Sequence, residues 1–161
     1  MTMNPDWRFL LRHPAHFLAF GLGSGLSPVA PGTAGSLLAI PLYLLLAWAV
    51  PMPWLLGLVA IAFLAGIWFC DVAGKSLGVA DHGGIVWDEI AAMWLILAFT
   101  PLSWEWYTAA FLLFRLFDVW KPFPIRVIDE RTTGGFGVMV DDLLAAGYAL
   151  AVLKGMEAWL A

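Results

Sequence analysis

The sequence predicts an all-α membrane protein: a compact bundle of about five apolar helices whose polar loops gather on one side. The first observation is composition, since 62% of the 161 residues are hydrophobic and only 12% are charged. Soluble domains are nearer half apolar and a quarter charged. The second is that the charges fall in short blocks between long uncharged stretches. The third is the presence of ten tryptophans, a residue enriched at membrane–water interfaces.

Length, charge and cysteine content narrow the class of protein. A chain of 161 residues has the length of one domain, so we expect a single domain over residues 1–161. The formal net charge of −4 argues against nucleic acid as a partner. The single cysteine, Cys70, excludes an internal disulfide and a multi-cysteine metal site.

Apolar blocks separated by prolines predict the helices. The prolines in VPMPW and TPLSW end one helix and force a turn before the next. The predicted helices cover about residues 36–50, 54–71, 88–99, 104–118 and 140–159. The first four are shorter than the roughly 20 residues that cross a hydrocarbon core, and the last just reaches that length. They either cross with local thinning of the bilayer or belong to a bundle that only dips into it; we favour crossing.

Two helical hairpins of this kind would bring the polar blocks, about residues 71–89 and 115–142, to one side of the membrane. Of the eight Lys and Arg residues, only Lys154 falls on the other side. The positive-inside rule therefore predicts that the polar blocks face the cytoplasm. The tryptophans expected at the cytoplasmic interface are Trp68, Trp87 and Trp120.

The stretch IVWDEIAAMWLILAF sets Asp88 and Glu89 directly before an apolar run. Acids at the first turn of a helix interact favourably with the helix dipole, which is the ordinary interpretation. However, an ionised carboxylate that enters an apolar environment is costly unless it is paired or bound to a metal. The two acids are therefore candidates for a ligand site.

The stretch FRLFDVWKPFPIR carries the second group of charges. Arg115 and Asp118 are three residues apart and share a helix face, while the prolines leave Lys121 at the helix end. The ordinary interpretation is an ion pair and a lysine that snorkels to the interface. The alternative is a phosphate-binding group at the same membrane level as Asp88 and Glu89.

Two further stretches stand at the start of predicted helices. In GGFGVMVDDLLAAGYA we expect a glycine loop and then Asp141 and Asp142 in the first helical turn. In GSGLSPVAPGTAGS we expect a loop in which Thr33 or Ser36 caps a helix, with free backbone N–H groups able to hold an anion.

The acids of these segments converge at one predicted depth, where they would repel one another unless something neutralises them. Mg²⁺ prefers oxygen ligands and keeps water and substrate phosphate in its coordination shell. Arg and Lys beside such a site commonly bind phosphate. The pattern therefore indicates a magnesium site with phosphate-binding cations next to it.

Four stretches, GSGLSPVAPGTAGS, DHGGIVWDEI, FRLFDVWKPFPIR and GGFGVMVDDLLAAGYA, together resemble the phosphatidylglycerophosphatase A family of bacterial lipid phosphatases. They keep the family's order over about residues 20–150, with one departure at Ala92, where we expect Gly. The resemblance implies Mg²⁺-dependent hydrolysis of phosphatidylglycerophosphate to phosphatidylglycerol and phosphate. It also implies a multi-pass protein of the inner membrane, in contact with membrane lipid.

The expected roles follow from the charges and the resemblance together. The expected Mg²⁺ ligands are Glu89, Asp118, Asp141 and Asp142, with Asp88 as a second choice. Arg115 and Lys121 would bind the phosphate group, which Thr33 and Ser36 would orient. Asp81 and His82, in the loop before the acids, are candidates for proton transfer because His titrates near neutrality.

Three alternatives stay open at this level. The nucleophile is either a metal-activated water or the carboxylate of Asp118 or Asp141, which would form an aspartyl-phosphate. The substrate is either phosphatidylglycerophosphate or another phosphate-bearing lipid. The protein is either an enzyme or a small ion-binding transporter, since acids among membrane helices also mark ion pathways. A transporter would place some acids near the membrane midplane.

Overall fold

The computed structural model describes residues 5–160, and every regular element in that range is helical. The predicted all-α fold is confirmed. The elements are α1 (Trp7–Leu11), α2 (Pro14–Ala19), a 3₁₀ helix (Gly21–Leu26), α3 (Pro31–Ala49), α4 (Met52–Leu77), α5 (Trp87–Ala98), α6 (Trp104–Trp120), α7 (Ile125–Arg131) and α8 (Gly134–Leu160).

The five predicted helices correspond to α3, α4, α5, α6 and α8, and the short α1, α2 and α7 were not predicted. Three helices in the described range, α3, α4 and α8, are long and apolar enough to cross a membrane. They extend beyond their predicted bounds by up to six residues at one end, as at Leu77 and Gly134. The prolines end helices where expected: α3 stops at Ala49 and α6 at Trp120.

The shortest of the five, α5, is the centre of the bundle. Almost all of its 12 residues are buried, and it packs against α3, α4, α6 and α8. Its apolar composition therefore reflects contact with protein as much as contact with lipid. Because longer helices surround it, α5 does not need the length that a membrane-crossing helix requires.

Tryptophans divide between this core and the outer surface. Trp68 and Trp120 are exposed, as expected for an interfacial belt. Trp87 is buried, and its indole N–H donates a hydrogen bond of 2.9 Å to the carbonyl of Ala62 in α4. The prediction that Trp87 belongs to the belt is wrong, because this side chain packs into the gap over Gly66, where a Cβ would lie 2.6 Å from the indole ring.

The outer surface of the long helices is apolar. Large side chains on α3, α4 and α6, such as Leu45, Ile61, Leu64 and Leu112, have more than half of their surface exposed. Monomeric soluble proteins rarely expose contiguous apolar surface on this scale. The surface therefore suits a hydrocarbon environment.

The polar ends of five helices meet at one end of the bundle, as predicted. The start of α3 touches the start of α5, since a Cβ at Gly32 would lie 2.2 Å from Oε1 of Glu89. The end of α6 reaches the starts of α5 and α8 through Arg115 and Lys121. The start of α8 lies on α4 about three turns before that helix ends, where a Cβ at Gly135 would be 1.8 Å from the carbonyl oxygen of Ile67.

Candidate active site

The first two acids of the site open α5. Asp88 and Glu89 lie in its first turn, after Val86 as the N-cap residue, and are only 8% and 9% exposed. The helix dipole stabilises acids at this position, by about 0.3–1 kcal/mol at exposed sites. Removing two carboxylates from water costs several kcal/mol for each ion. The dipole alone therefore does not account for acids at this depth.

The second pair of acids lies further inside its helix than predicted. Asp141 and Asp142 are about two turns from the start of α8 at Gly134, and they are 6% and 3% exposed. The prediction that they occupy the first turn is wrong. The glycines expected to form a loop belong to the helix, because Gly135 allows α8 to approach α4 more closely than any side chain would permit.

Asp88, Glu89 and Asp142 form what we call the acidic cluster. Each offers one carboxylate oxygen, and these three atoms lie within 4.8 Å of one another. Asp88 Oδ1, Glu89 Oε2 and Asp142 Oδ2 are buried and find no hydrogen-bond partner among residues 5–160. Buried polar atoms are normally satisfied, so this arrangement calls for a cation or protons.

Arg115 lies beside the acidic cluster. Its Nη1 is 2.5 Å from Oδ2 of Asp118 and 3.6 Å from Oε1 of Glu89. The ion pair of Arg115 with Asp118, which was the ordinary interpretation of their spacing, is present, and the same nitrogen links α6 to α5. All three side chains have 20% or less of their surface exposed, so water screens these interactions weakly.

Lys121 forms a second charged group with Asp141 and Asp129. Its Nζ lies 2.5 Å from Oδ2 of Asp141 and 3.1 Å from Oδ1 of Asp129. Burial tends to lower the pKa of Lys121, but the hydrogen bonds to Asp141 and Asp129 outweigh it and raise the pKa above its ordinary value. Lys121 therefore stays protonated. Asp129 was not predicted from the sequence, since only the turn between α6 and α7 brings it back to Lys121.

The five predicted ligand acids thus divide into two sets. Asp88, the second choice from the sequence, belongs to the acidic cluster together with Glu89 and Asp142. Asp118 and Asp141 are instead held in ion pairs with Arg115 and Lys121. The cluster offers only oxygen donors, which suits a hard divalent cation. Its orphaned oxygens fit the same role, and these three residues would hold such an ion.

The chain matches the family model of phosphatidylglycerophosphatase A over residues 17–157, which contain every residue of this site. The chain belongs to the phosphatidylglycerophosphatase A family. It is therefore a phosphatase, and the resemblance found in the four sequence stretches is confirmed.

Curated relatives cover nearly the full chain. The chain is 46% identical to a Haemophilus influenzae protein named phosphatidylglycerophosphatase A, over 98% of this chain and 97% of the relative. It is 44% identical to the Escherichia coli protein of the same name, over 91% of this chain and 85% of the relative. A Bacteroides thetaiotaomicron protein described as "Putative phosphatidylinositol-3-phosphatase" is 41% identical over 87% of this chain and 91% of the relative. No solved structure is significantly similar to the chain.

Ala92, where the family pattern predicts Gly, fits into the core. Ala92 is 3% exposed and belongs to the buried part of α5. Its methyl group lies among apolar neighbours, one turn from the acidic cluster.

The residues expected to orient the phosphate, Thr33 and Ser36, lie inside α3 and do not cap it. α3 begins at Pro31 with Ala30 as its N-cap residue, and no side chain caps it. The expected cap by Thr33 or Ser36 is therefore wrong. Ser36 is fully buried, and its hydroxyl donates to the carbonyl of Gly32. Thr33 is half-buried within the first turn.

Asp81 and His82 lie in the loop between α4 and α5. The ring Nδ1 of His82 accepts a hydrogen bond of 3.0 Å from the backbone N–H of Gly84. Within residues 5–160, no hydrogen bond joins His82 to the acidic cluster. Asp81 lies at the rim; partial enclosure of its carboxyl group raises its pKa, and the charge of Lys121 opposes that shift. Of the two, Asp81 is the one placed to interact with the charged groups of the site.

Proposed function

We propose that this member of the phosphatidylglycerophosphatase A family hydrolyses phosphatidylglycerophosphate to phosphatidylglycerol and phosphate with Mg²⁺ as its cofactor. The observation that carries the proposal is the acidic cluster, three carboxylates within 4.8 Å, with Arg115 beside it and Lys121 paired with the neighbouring Asp141. The names of the Haemophilus influenzae and Escherichia coli relatives support the same substrate.

Asp88, Glu89 and Asp142 would hold the cation. Mg²⁺ bound there supplies positive charge that offsets the mutual repulsion of the acids and draws the phosphate group to the site. The carboxylates fix the position of that charge because α5 and α8 are packed against each other and the acids lie on regular helices. Rigid elements hold reacting groups more accurately than loops do.

Arg115 would bind the phosphate group. Both of its ion pairs use Nη1, so the remaining donors of the guanidinium fork are available to phosphate oxygens. A planar fork of donors matches the geometry of a phosphate group. Glu89 and Asp118 hold the guanidinium in place before the substrate arrives.

The ion pairs support water over Asp118 as the nucleophile. Oδ2 of Asp118 is paired with Arg115, whereas Asp141 is paired with Lys121 through Oδ2 only, and its Oδ1 has no partner among residues 5–160. A carboxylate oxygen held in an ion pair is a weaker nucleophile because its charge is already shared. Asp81 would accept or return a proton at its carboxylate, and its exposure to solvent supports this role.

The site would face the cytoplasm from the bacterial inner membrane. The support is the charge distribution, since Lys154 alone among the basic residues falls at the far end of the bundle. Family membership also favours the phosphatase over the ion-binding transporter. The acids gather at one end of the helices, where a lipid headgroup would lie.

Phosphate release by the purified protein tests this proposal. The substrates are phosphatidylglycerophosphate, phosphatidic acid and phosphatidylinositol 3-phosphate, each with Mg²⁺ and with excess EDTA. We expect release from phosphatidylglycerophosphate at least about tenfold faster than from the others, equivalent to about 1.4 kcal/mol of transition-state stabilisation, and loss of activity in EDTA. Full activity in EDTA would overturn the cofactor, and faster release from phosphatidylinositol 3-phosphate would overturn the substrate.

A further inference from the structure

An apolar groove runs along one side of α5, between α4 and α8. We call it the chain groove, and its volume is about 460 Å³. It is lined by Leu56, Ala60 and Leu64 of α4, Ala91 and Leu95 of α5, and Leu143 of α8. Its walls open to the outer apolar surface, where Leu64 is 66% exposed. A membrane would therefore supply hydrocarbon to this groove.

The chain groove begins directly beneath the acidic cluster. Asp88, Ala91, Leu95 and Phe99 follow one another at spacings of three and four residues, so they lie on the same face of α5. The unpartnered Oδ1 of Asp88 is thus one turn above Ala91 in the groove wall. On α8, Leu143 of the groove directly follows Asp142 of the cluster.

The length of the groove matches one leaflet of a bilayer. Ala91 and Phe99, both in its lining, are eight residues apart, which corresponds to about 12 Å along a helix. One leaflet contributes roughly 15 Å of hydrocarbon, half of the bilayer core. The groove therefore has about the length of one leaflet, and its far end reaches Leu56, four residues from the start of α4 at Met52.

We propose that the chain groove binds one acyl chain of the phospholipid substrate while the phosphate group of the same molecule lies at the acidic cluster. This inference rests on the proposed function, because it assumes a lipid phosphate at Asp88 and Asp142. A lipid of the surrounding bilayer, whose headgroup is not bound at the acidic cluster, would not be aligned with the acids. Ala91 of the groove lies one turn from Asp88 on α5, and Leu143 follows Asp142 on α8, so the groove and the acidic cluster are neighbours on both helices.

The groove would affect the reaction by positioning the substrate more than by increasing the affinity for it. Lipid tails are as apolar as the groove, so a chain that moves from the bilayer into it gains little hydrophobic free energy. However, a chain seated in the groove fixes the depth of the headgroup. A misplacement of about 1 Å at a reacting centre is able to lower a rate by about 10²-fold. The groove would therefore select the chain length that leaves the phosphate at the correct depth.

Ala60 offers the substitution that tests the groove, because it is an exposed small residue in the lower half of the lining. Ala60→Phe fills that half. We expect the ratio of kcat/KM for dioleoyl over dioctanoyl phosphatidylglycerophosphate to fall by about tenfold, within the range for hydrophobic-pocket discrimination. Ala151→Phe is the matched control, since Ala151 is also an exposed alanine on a long apolar helix but lies outside the groove. An unchanged ratio in Ala60→Phe would overturn the proposal.

Photocrosslinking distinguishes failure of the groove from failure of the proposed function, because it needs no turnover. The probe is a non-hydrolysable phosphonate analogue of phosphatidylglycerophosphate with a diazirine at mid-chain, in Mg²⁺, compared with phosphatidylcholine carrying the same chain. We expect the first probe to label residues 56–64 or 95–99 several-fold more than the second, in the wild type and in Ala151→Phe, with loss of that label in Ala60→Phe. Equal labelling by both probes would show that the groove holds bulk lipid only, which overturns the inference whether or not the protein releases phosphate.

Discussion

The backbone of Gly32 lies against the carboxylate of Glu89. A Cβ at position 32 would be 2.2 Å from Oε1 of Glu89 and 3.0 Å from Nη1 of Arg115. The start of α3 therefore closes one side of the acidic cluster and leaves no space for a side chain. This contact gives a physical reason for glycine in the APGTAG stretch, which the sequence alone indicated only as a loop.

Gly32→Ala is expected to lower kcat/KM by about 10²-fold. Glu89 would have to move by about an ångström to make room for the new methyl group, and a displacement of that size at a catalytic site has such an effect. Phosphate release from phosphatidylglycerophosphate measures it. Gly147→Ala is the control, because a Cβ there meets nothing within 4 Å. Normal turnover in Gly32→Ala would show that Glu89 tolerates displacement.

Arg115→Lys is expected to lose more than tenfold in kcat/KM. Lysine keeps the charge but lacks the planar fork that would pair Asp118 and Glu89 while it binds phosphate. Arg126→Lys provides the comparison, since Arg126 forms an exposed pair with Glu130, and such pairs contribute little. If Arg115→Lys retains nearly normal rates, Arg115 serves only as a structural partner of Asp118.

Gly84→Ala is expected to destabilise the protein, whereas Gly83→Ala is not. A Cβ at position 84 would lie 2.5 Å from the ring of Phe20 and 2.8 Å from the carbonyl oxygen of Gly25, while one at position 83 meets nothing within 4 Å. Overpacking of this kind costs typically 1–3 kcal/mol. Thermal unfolding of the two purified variants in detergent measures the difference. Equal Tm values would mean that the segment around Gly84 can move away from Phe20 and Gly25 without loss of stability.

The sequence predicted the helices whose ends carry strong local signals. Pro51 and Pro53 separated α3 from α4, and Pro122 and Pro124 ended α6 at Trp120, with Lys121 as its C-cap residue. These signals act through the missing backbone N–H and the fixed φ of proline, so they do not depend on tertiary structure.

The start of α8 depended on tertiary structure, and its prediction was wrong for that reason. Glycine is a poor helix former, so the GGFG stretch indicated a loop. In the folded chain, Gly135 lies in the helix because it allows α8 to contact the backbone of Ile67. The same contact moves Asp141 and Asp142 away from the helix end.

The set of acids was predicted, but only one of their partners. The sequence predicted that carboxylates would converge at one depth, since that follows from the topology of hairpins, and the spacing of Arg115 and Asp118 indicated their ion pair. It did not show that Asp88 joins Glu89 and Asp142, or that Asp141 pairs with Lys121. Such pairings depend on the rotation of each helix about its axis, which a pattern of short, nearly uniformly apolar helices does not specify.

The acidic cluster is expected to make the metal-free protein less stable than a variant with one acid fewer. Asp142 is buried beside Asp88 and Glu89, and no ion pair with Asp142 occurs in the described part of the chain. Asp142→Asn removes one of the repelling charges and keeps the shape of the side chain. We expect its Tm in EDTA to rise by about 2–4 °C, the shift for about 1 kcal/mol in a chain of this size, while its phosphatase activity is lost.

Added Mg²⁺ should make the wild type more stable than Asp142→Asn, the reverse of the order in EDTA. Binding to the folded state at a hundred times Kd stabilises a protein by about 2.7 kcal/mol, so added Mg²⁺ should raise the Tm of the wild type well above that of Asp142→Asn. Glu157→Gln is the control, because Glu157 pairs with Lys154 near the end of α8 far from the cluster, and this variant should respond to Mg²⁺ as the wild type does. An equal Mg²⁺ response in Asp142→Asn, or a lower Tm in EDTA than the wild type, would show that the cluster is stabilised by protons and internal contacts and is not a cation site.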